Sequence, residues 1–368
     1  MLTPEYLERC PDRIVELWQQ AETDILKDMA RKINAYDYFS SAVDYQAQKL
    51  KEMGLMNEDI LLRLSALTGR TVSELKKLMN EAGMTTLATD DKVYSAAGMS
   101  PGKLKDNPAL IAVMDASLRK TQNTFENLTR TTARNGAQQF IEALDRAYMQ
   151  IVTGGISPDA AIRSAIKDLA RSGLRSVSYG NRADSIDVAV RRAVRTSINQ
   201  TTSILQETRA DEMGCDLVET SAHSGARPSH AEWQGKIFSR SGKSEKYPPF
   251  KEATGYGTAG GLGGVNCRHS FYPFFEGDEP LYTEEELADM NAKKYEWRGK
   301  MLTEYEATQE QRYHERQIRR WKNEREMLKE IGQPTAAADE KIAYWNARQV
   351  HLLKVTGLKR RYDSEEVY

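Results

Sequence analysis

Residues 14–33 read IVELWQQAETDILKDMARKI, and within them Ile14, Leu17, Ala21, Ile25, Met29 and Ile33 recur at steps of three and four. That period sets all six along one side of a 3.6-residue helix and makes a single apolar stripe. The same rhythm continues outward. Asn57 can cap a helix carrying Ile60, Leu61, Leu64 and Leu67, and Thr71 with Glu74 has capping-box spacing ahead of Val72, Leu75, Leu78 and Met79. Gly54, Gly69 and Gly83 stand where left-handed residues would close successive helices. Residues 1–83 therefore predict an N-terminal domain of short helical hairpins.

Residues 84–106, interrupted by Gly98 and Pro101, read as a linker. Asn107-Pro108 is a cap followed by a first-turn proline, and a second helical domain is predicted over 107–213. Its apolar positions run through Ile111, Met114, Leu118, Phe125, Leu128, Phe140, Leu144 and Ile151. Gly154-Gly155 breaks the pattern, Ser157-Pro158 restarts it as far as about Gly173, and a long helix is predicted from about Ser185 to Met213, ended by Gly214.

The texture then changes. Leu217–Ala222 and Lys236–Phe238 have strand composition, and 223–277 holds three of the five histidines among glycines and aromatics. This is a small α+β module over 214–277. From Thr283, which makes a capping box with Glu286, the chain returns to helix through a charged segment, 278–368. Residues 284–330 carry 12 acidic and 11 basic side chains, so i,i+4 pairing alone, worth about 0.2–0.5 kcal/mol per pair, cannot order them. This segment is expected to dock, either on the N-terminal helices or on partner subunits, with Trp297 and Trp321 as anchors and Trp345 a further contact candidate. Gly332-Gln333-Pro334 interrupts it, and a last helix with Ile342, Trp345 and Leu352 ends near Gly357. The fold class expected is mainly α: hairpins and long helices around one glycine-rich α+β module.

Composition narrows the function. The chain of 368 residues is 40% hydrophobic and 29% charged, with net charge −1 and mean hydropathy −0.64. The near-zero charge excludes a generally basic nucleic-acid binder. No run approaches a membrane span, and the opening Met1–Glu5 has no signal-peptide pattern, so no membrane partner is expected. Cys10, Cys215 and Cys267 are too few and too dispersed for a disulfide framework, which points to a reducing compartment.

The candidate chemistry lies in His223-Ser224-Gly225-Ala226-Arg227-Pro228-Ser229-His230-Ala231-Glu232-Trp233-Gln234-Gly235, then Gly255–Gly264, then Asn266-Cys267-Arg268-His269. The glycines lack the Lys-Ser/Thr of a phosphate loop and the strand-turn-helix of a dinucleotide fold, so they read as an ordered irregular loop. His223, His230, Cys267 and His269 are the right residue types for zinc, though their spacing matches no familiar finger. The same histidines with Arg227 or Lys236 could serve a metal-independent nuclease as acid, base and charge stabiliser. Arg227, Trp233, Gly235, Asn266 and Arg268 are the expected structural frame of the motif.

Taken together, His223–His269 resembles the signature of the phage minor capsid protein 2 family. More distantly, Arg195-Thr196, the following strand, Arg227–His230 and the terminal Asn266–His269 resemble head-morphogenesis proteins of the phage Mu F-like type. Leu61–Gly83 and Tyr305–Arg319 extend the first resemblance to most of the chain. It implies a low-copy virion protein of the phage head, assembled near the portal in the host cytoplasm, with portal and capsid subunits as partners and no established enzymatic activity or cofactor. The head-morphogenesis pattern usually ends Cys-Arg-Cys, whereas this chain has Cys267-Arg268-His269.

Arg163, Lys167 and Arg171 share one helix face, and Arg191 with Arg195 repeats the pattern on the next helix. Residues 162–209 hold nine basic and four acidic side chains. This stripe is the expected contact for packaged DNA or an acidic portal surface.

Overall fold

The computed structural model describes residues 2–177 and 183–367. Its helices are α1 (Pro4–Arg9), α2 (Asp12–Ala35), α3 (Ala42–Ala96), α4 (Pro108–Val152), α5 (Pro158–Ser172), α6 (Ile186–Met213), α7 (Pro228–Ala231), α8 (Phe250–Thr254), α9 (Glu284–Met290), α10 (Glu304–Glu330) and α11 (Ala336–Thr356). Three small antiparallel sheets accompany them. They are β1 (Arg175–Val177) with β2 (Ala183–Ser185), the order β4-β3-β5 from Ile237–Ser239, Leu217–Thr220 and Phe271–Pro273, and β6 (Tyr295–Trp297) with β7 (Lys300–Leu302). The chain is mainly α, as expected.

Local signals placed several ends correctly. Asn107 Oδ1 accepts from the amides of Ala109 and Leu110, Ser157 caps α5 with Pro158 in its first turn, and Thr283 with Glu286 forms a full capping box. Gly154, Gly214, Gly332 and Gly357 all take positive φ at helix ends.

The N-terminal hairpins are corrected. One 55-residue helix, α3, runs straight through Gly54, Gly69 and Gly83, and Asn57, Thr71 and Glu74 lie inside it. Residues 84–96, read as linker, are its last turns. An interior glycine costs a helix about 1 kcal/mol against alanine. Burial of Tyr45, Met56, Ile60, Leu64, Leu75, Met79 and Tyr94 along α3 offsets that cost. At Gly83 the missing side chain is used: an added Cβ would lie 3.0 Å from Leu205 and 3.4 Å from Met114.

The chain forms two compact units. One comprises Arg13–Arg70, Thr124–Val190 and Glu310–Tyr368, the other Met1–Asp12, Thr71–Asn123 and Arg191–Gln309. In the first, Trp18 packs on Phe125 with ring centroids 5.7 Å apart and Tyr45 stacks on Tyr148 at 3.9 Å. Its α10 segment is not left bare. Gln311, His314, Ile318, Glu324, Met327 and Leu328 are buried. His314 Nδ1 meets Gln349 of α11 at 3.1 Å, and Arg31 of α2 pairs with Glu330 at 2.6 Å. Thus α10 docks within the chain through a face that is half polar, which an apolar-stripe count underestimates. The expected single helical return after Thr283 is also corrected, because the β6-β7 hairpin intervenes and holds Trp297 buried.

The second unit is organised on residues 191–213 of α6. Arg195, Asn199, Thr202, Gln206 and Arg209 recur at steps of four and three, and none is more than 2% exposed. A buried polar stripe is tolerable only if each group is bonded, and partners are present. Arg195 donates to the carbonyls of Leu7 and Glu8. Gln206 donates to Asp90 and to the Phe271 carbonyl, and Arg209 donates to the Gly102 carbonyl and to Glu212 and forms an ion pair with Asp91.

Candidate functional site

The module at 214–277 rests on that stripe. In its sheet Val218 lies opposite Phe238 and Pro273, and Thr220 opposite Phe271. Behind it Val218, Trp233, Phe238, Phe250, Leu262, Cys267 and Phe271 form a small core. The glycine loop closes back on itself, since a Cβ on Gly261 would fall 2.1 Å from the Gly255 carbonyl oxygen. Close approach of two backbone segments therefore explains this glycine. Gly235 takes φ +66, with Leu287 filling the space that a side chain would need.

Three of the four expected metal-ligand residues converge. His230 comes from α7, and Cys267 and His269 from the segment entering β5. Their Nδ1, Sγ and Nδ1 atoms form a triangle: 3.3 Å between the two nitrogens, and 3.8 and 3.7 Å from the sulfur to His230 and His269. Each of the three residues is only 1% exposed. The other ring nitrogens are held. His230 Nε2 donates to the Gly260 carbonyl at 2.8 Å, and His269 Nε2 donates to Gln234 Oε1 at 3.0 Å. The same Oε1 accepts the His223 amide at 3.1 Å, which fixes the orientation of the Gln234 side chain.

His223 does not join the triangle. It stacks on His269 with ring centroids 4.4 Å apart, bonds the Ser224 carbonyl through Nδ1 at 2.7 Å, and has a buried Nε2 with no hydrogen-bond partner. Burial pushes all three histidines toward the neutral form: His223 to about 3, with Arg268 adding to the effect, His230 to about 4, and His269 well below its ordinary value. Burial likewise pushes the Cys267 thiol up.

The residues expected to frame the motif take the following places. Arg227 donates to the Val265 carbonyl at 2.6 Å, and Arg268 donates to the Gly225 carbonyl at 3.1 Å and pairs with Glu8 at 3.3 Å. Asn266 sits at φ 58, and Trp233 packs within 5 Å of both His230 and His269. Sequence reasoning missed Asn199, whose Nδ2 donates to the carbonyls of Cys267 at 2.9 Å and His269 at 3.1 Å. It also missed Gln234, although that residue lay inside the motif. The available signal was the four-residue step from Arg195 to Asn199, a polar repeat that an apolar scan discards.

The basic stripe is corrected at most of its positions. Arg195 is buried against Leu7 and Glu8, and Arg191 pairs with Asp12. Arg171 meets buried Glu324 at 2.8 Å and lies over the Trp321 ring, while Lys167 meets the same carboxylate at 3.7 Å. Arg163 is half-buried. Lys167, Arg171, Arg191 and Arg195 thus pair with carboxylates of the fold itself. Trp345 packs on Tyr313 and His314, at 5.4 and 5.5 Å between ring centroids.

The model of the family described as phage minor capsid protein 2 matches residues 2–354, and the chain belongs to that family. It is also similar to a structural protein of Lactococcus phage LL-H, 24% identical over 356 residues that cover 88% of this chain and 91% of that one. A structural protein of Lactococcus phage mv4 is 32% identical over 126 residues, 33% of this chain and 93% of the other. No solved structure matches. Among the described residues no helix is long and apolar enough to cross a membrane, and the three cysteines are free.

Proposed function

We propose that this family member is a low-copy component of the phage head, built in near the portal during assembly in the host cytoplasm and held by protein contacts with portal and capsid subunits. The observation that carries the reading is the family match along nearly the whole chain, joined by relatives named as structural proteins. The geometry supports it. A nuclease needs its acid and base within reach of a substrate, whereas His230 and His269 are sealed at 1% exposure and face each other. The engaged arginines of α5 and α6 favour protein partners over packaged DNA. Exposed apolar residues supply surface for such partners: Phe39 lies just before α3 and Val43, Leu50 and Leu62 lie in its first half, and Leu50, Met53, Leu61 and Ala137 line part of a groove of about 520 Å³. Mass spectrometry of gradient-purified phage tests this. The chain is expected in the particle at few copies, alongside portal and well below the major shell protein. Its confinement to infected-cell cytoplasm, with none in particles, would overturn the proposal.

A further inference from the structure

We propose that His230, Cys267 and His269 form a zinc site that staples α7 to the segment entering β5. A tetrahedral zinc with bonds of about 2.0–2.1 Å to nitrogen and about 2.3 Å to sulfur holds its nitrogen ligands ~3.3 Å apart and nitrogen and sulfur ~3.6 Å apart. The triangle found is 3.3, 3.7 and 3.8 Å. No sequence motif imposes those spacings, because the ligands come from positions separated by 37 and 2 residues.

Tautomer assignment points the same way. Gly260 O and Gln234 Oε1 can only accept, so both Nε2 atoms carry the ring protons. Each neutral imidazole then presents a bare Nδ1 lone pair, and the two lone pairs face each other across 3.3 Å. A thiol proton on Cys267 can satisfy one of them and leaves the other. A soft cation satisfies both and takes the thiolate as a third ligand, with the thiol proton released to solvent.

The outer contacts are those that metal-bound imidazoles ordinarily make, each free N–H donating to a carbonyl-type oxygen. Asn199 holds the Cys267 and His269 carbonyls from α6, which fixes the two-residue turn that lets both side chains point at one place. The fourth position is left to a water. The buried, unpartnered Nε2 of His223 stands beside the site as an acceptor for it. The consequence is stability for a module whose apolar core is small. This inference is independent of where in the particle the protein sits.

The test uses the full chain, purified without chelator or metal-affinity resin, with zinc and protein quantified together. Stoichiometric zinc is expected, lost to a strong chelator and regained on adding zinc back. Cobalt(II) in its place should give the intense visible bands of a four-coordinate site and the charge-transfer band of one thiolate. Gln234→Ala should weaken zinc by about 10–100-fold, the usual effect of losing an outer-shell partner. Cys267→Ser should abolish the thiolate band. Should that variant fail to fold, the wild-type cobalt spectrum decides. A folded wild-type chain that neither carries nor takes up zinc or cobalt would overturn the site, and so would a cobalt spectrum with no thiolate band.

Discussion

Replacing Glu22 by glutamine removes one of three carboxyl groups gathered around a single guanidinium. Arg319 pairs with Asp187 at 2.5 Å and feels Glu22 and Glu315 as well. Glu22 is 3% exposed and accepts the Leu174 amide at 2.8 Å. Burial strips the Glu22 carboxylate of the solvation that favours its charged form, and the Arg319 guanidinium offsets that only in part. Burial is the largest influence on Glu22, and with Asp187 alongside it raises the carboxyl from its ordinary 4.5 to about 7. The folded state therefore holds a proton that the unfolded chain gives up between these two values. Stability from this group is full below the unfolded value and falls as pH rises through the folded one. At about 1.4 kcal/mol per unit, the loss approaches ~3 kcal/mol above pH ~7. Glutamine keeps the acceptor for Leu174 and never ionises. Glu22→Gln should therefore be close to neutral near about pH 5 and stabilising by up to ~3 kcal/mol near about pH 8. Hydrogen exchange of the amides in α2 and α10, measured in both proteins at both pH values, reads this unit directly. Parallel behaviour of variant and wild type across the range would refute the argument, because it would mean that Glu22 is already ionised in the fold.

Two further outcomes follow from the same structure. Asn199→Ala leaves two buried carbonyls without their donor and should cost about 1–3 kcal/mol, seen as lost exchange protection in β3 and β5 while α2 and α11 are unchanged. Glycine substitutions should diverge by position. Gly54→Ala, with open space around it, should raise stability by about 0.5–1 kcal/mol. Gly261→Ala, whose Cβ would overlap the Gly255 carbonyl, should disrupt the module and lower the yield of folded protein. A thermal melt of each against wild type checks both signs.

Much of the fold was legible because local chemistry decides it. The apolar stripe of 14–33 became α2, and the boundaries of α6 fell within a residue of those read from Ser185 and Met213. Asn107, Ser157 and Thr283 capped their helices because a side-chain oxygen satisfies amides that the helix itself cannot. The motif also identified three residues that converge, since their types and crowding among glycines are visible without coordinates.

What escaped the sequence depended on partners distant along the chain. Glycines at 54, 69 and 83 carry the local signal of a helix end, yet packing along α3 outweighs a penalty of about 1 kcal/mol each. The arginines at 171, 191 and 195 show helical spacing and charge, but only the tertiary structure brings Glu324, Asp12 and Glu8 to them. The strands at 271–273, 295–297 and 300–302 are three residues each, too short for a period of two to register. Convergence of His230 with Cys267 joins residues 37 apart in the chain, and His223 lies outside their triangle with its Nδ1 on the Ser224 carbonyl. The sequence alone determined helical content, most caps and the identity of the unusual module. Tertiary structure decided which polar residues are interior, because burying a charge or an amide depends on a partner whose position no local pattern specifies.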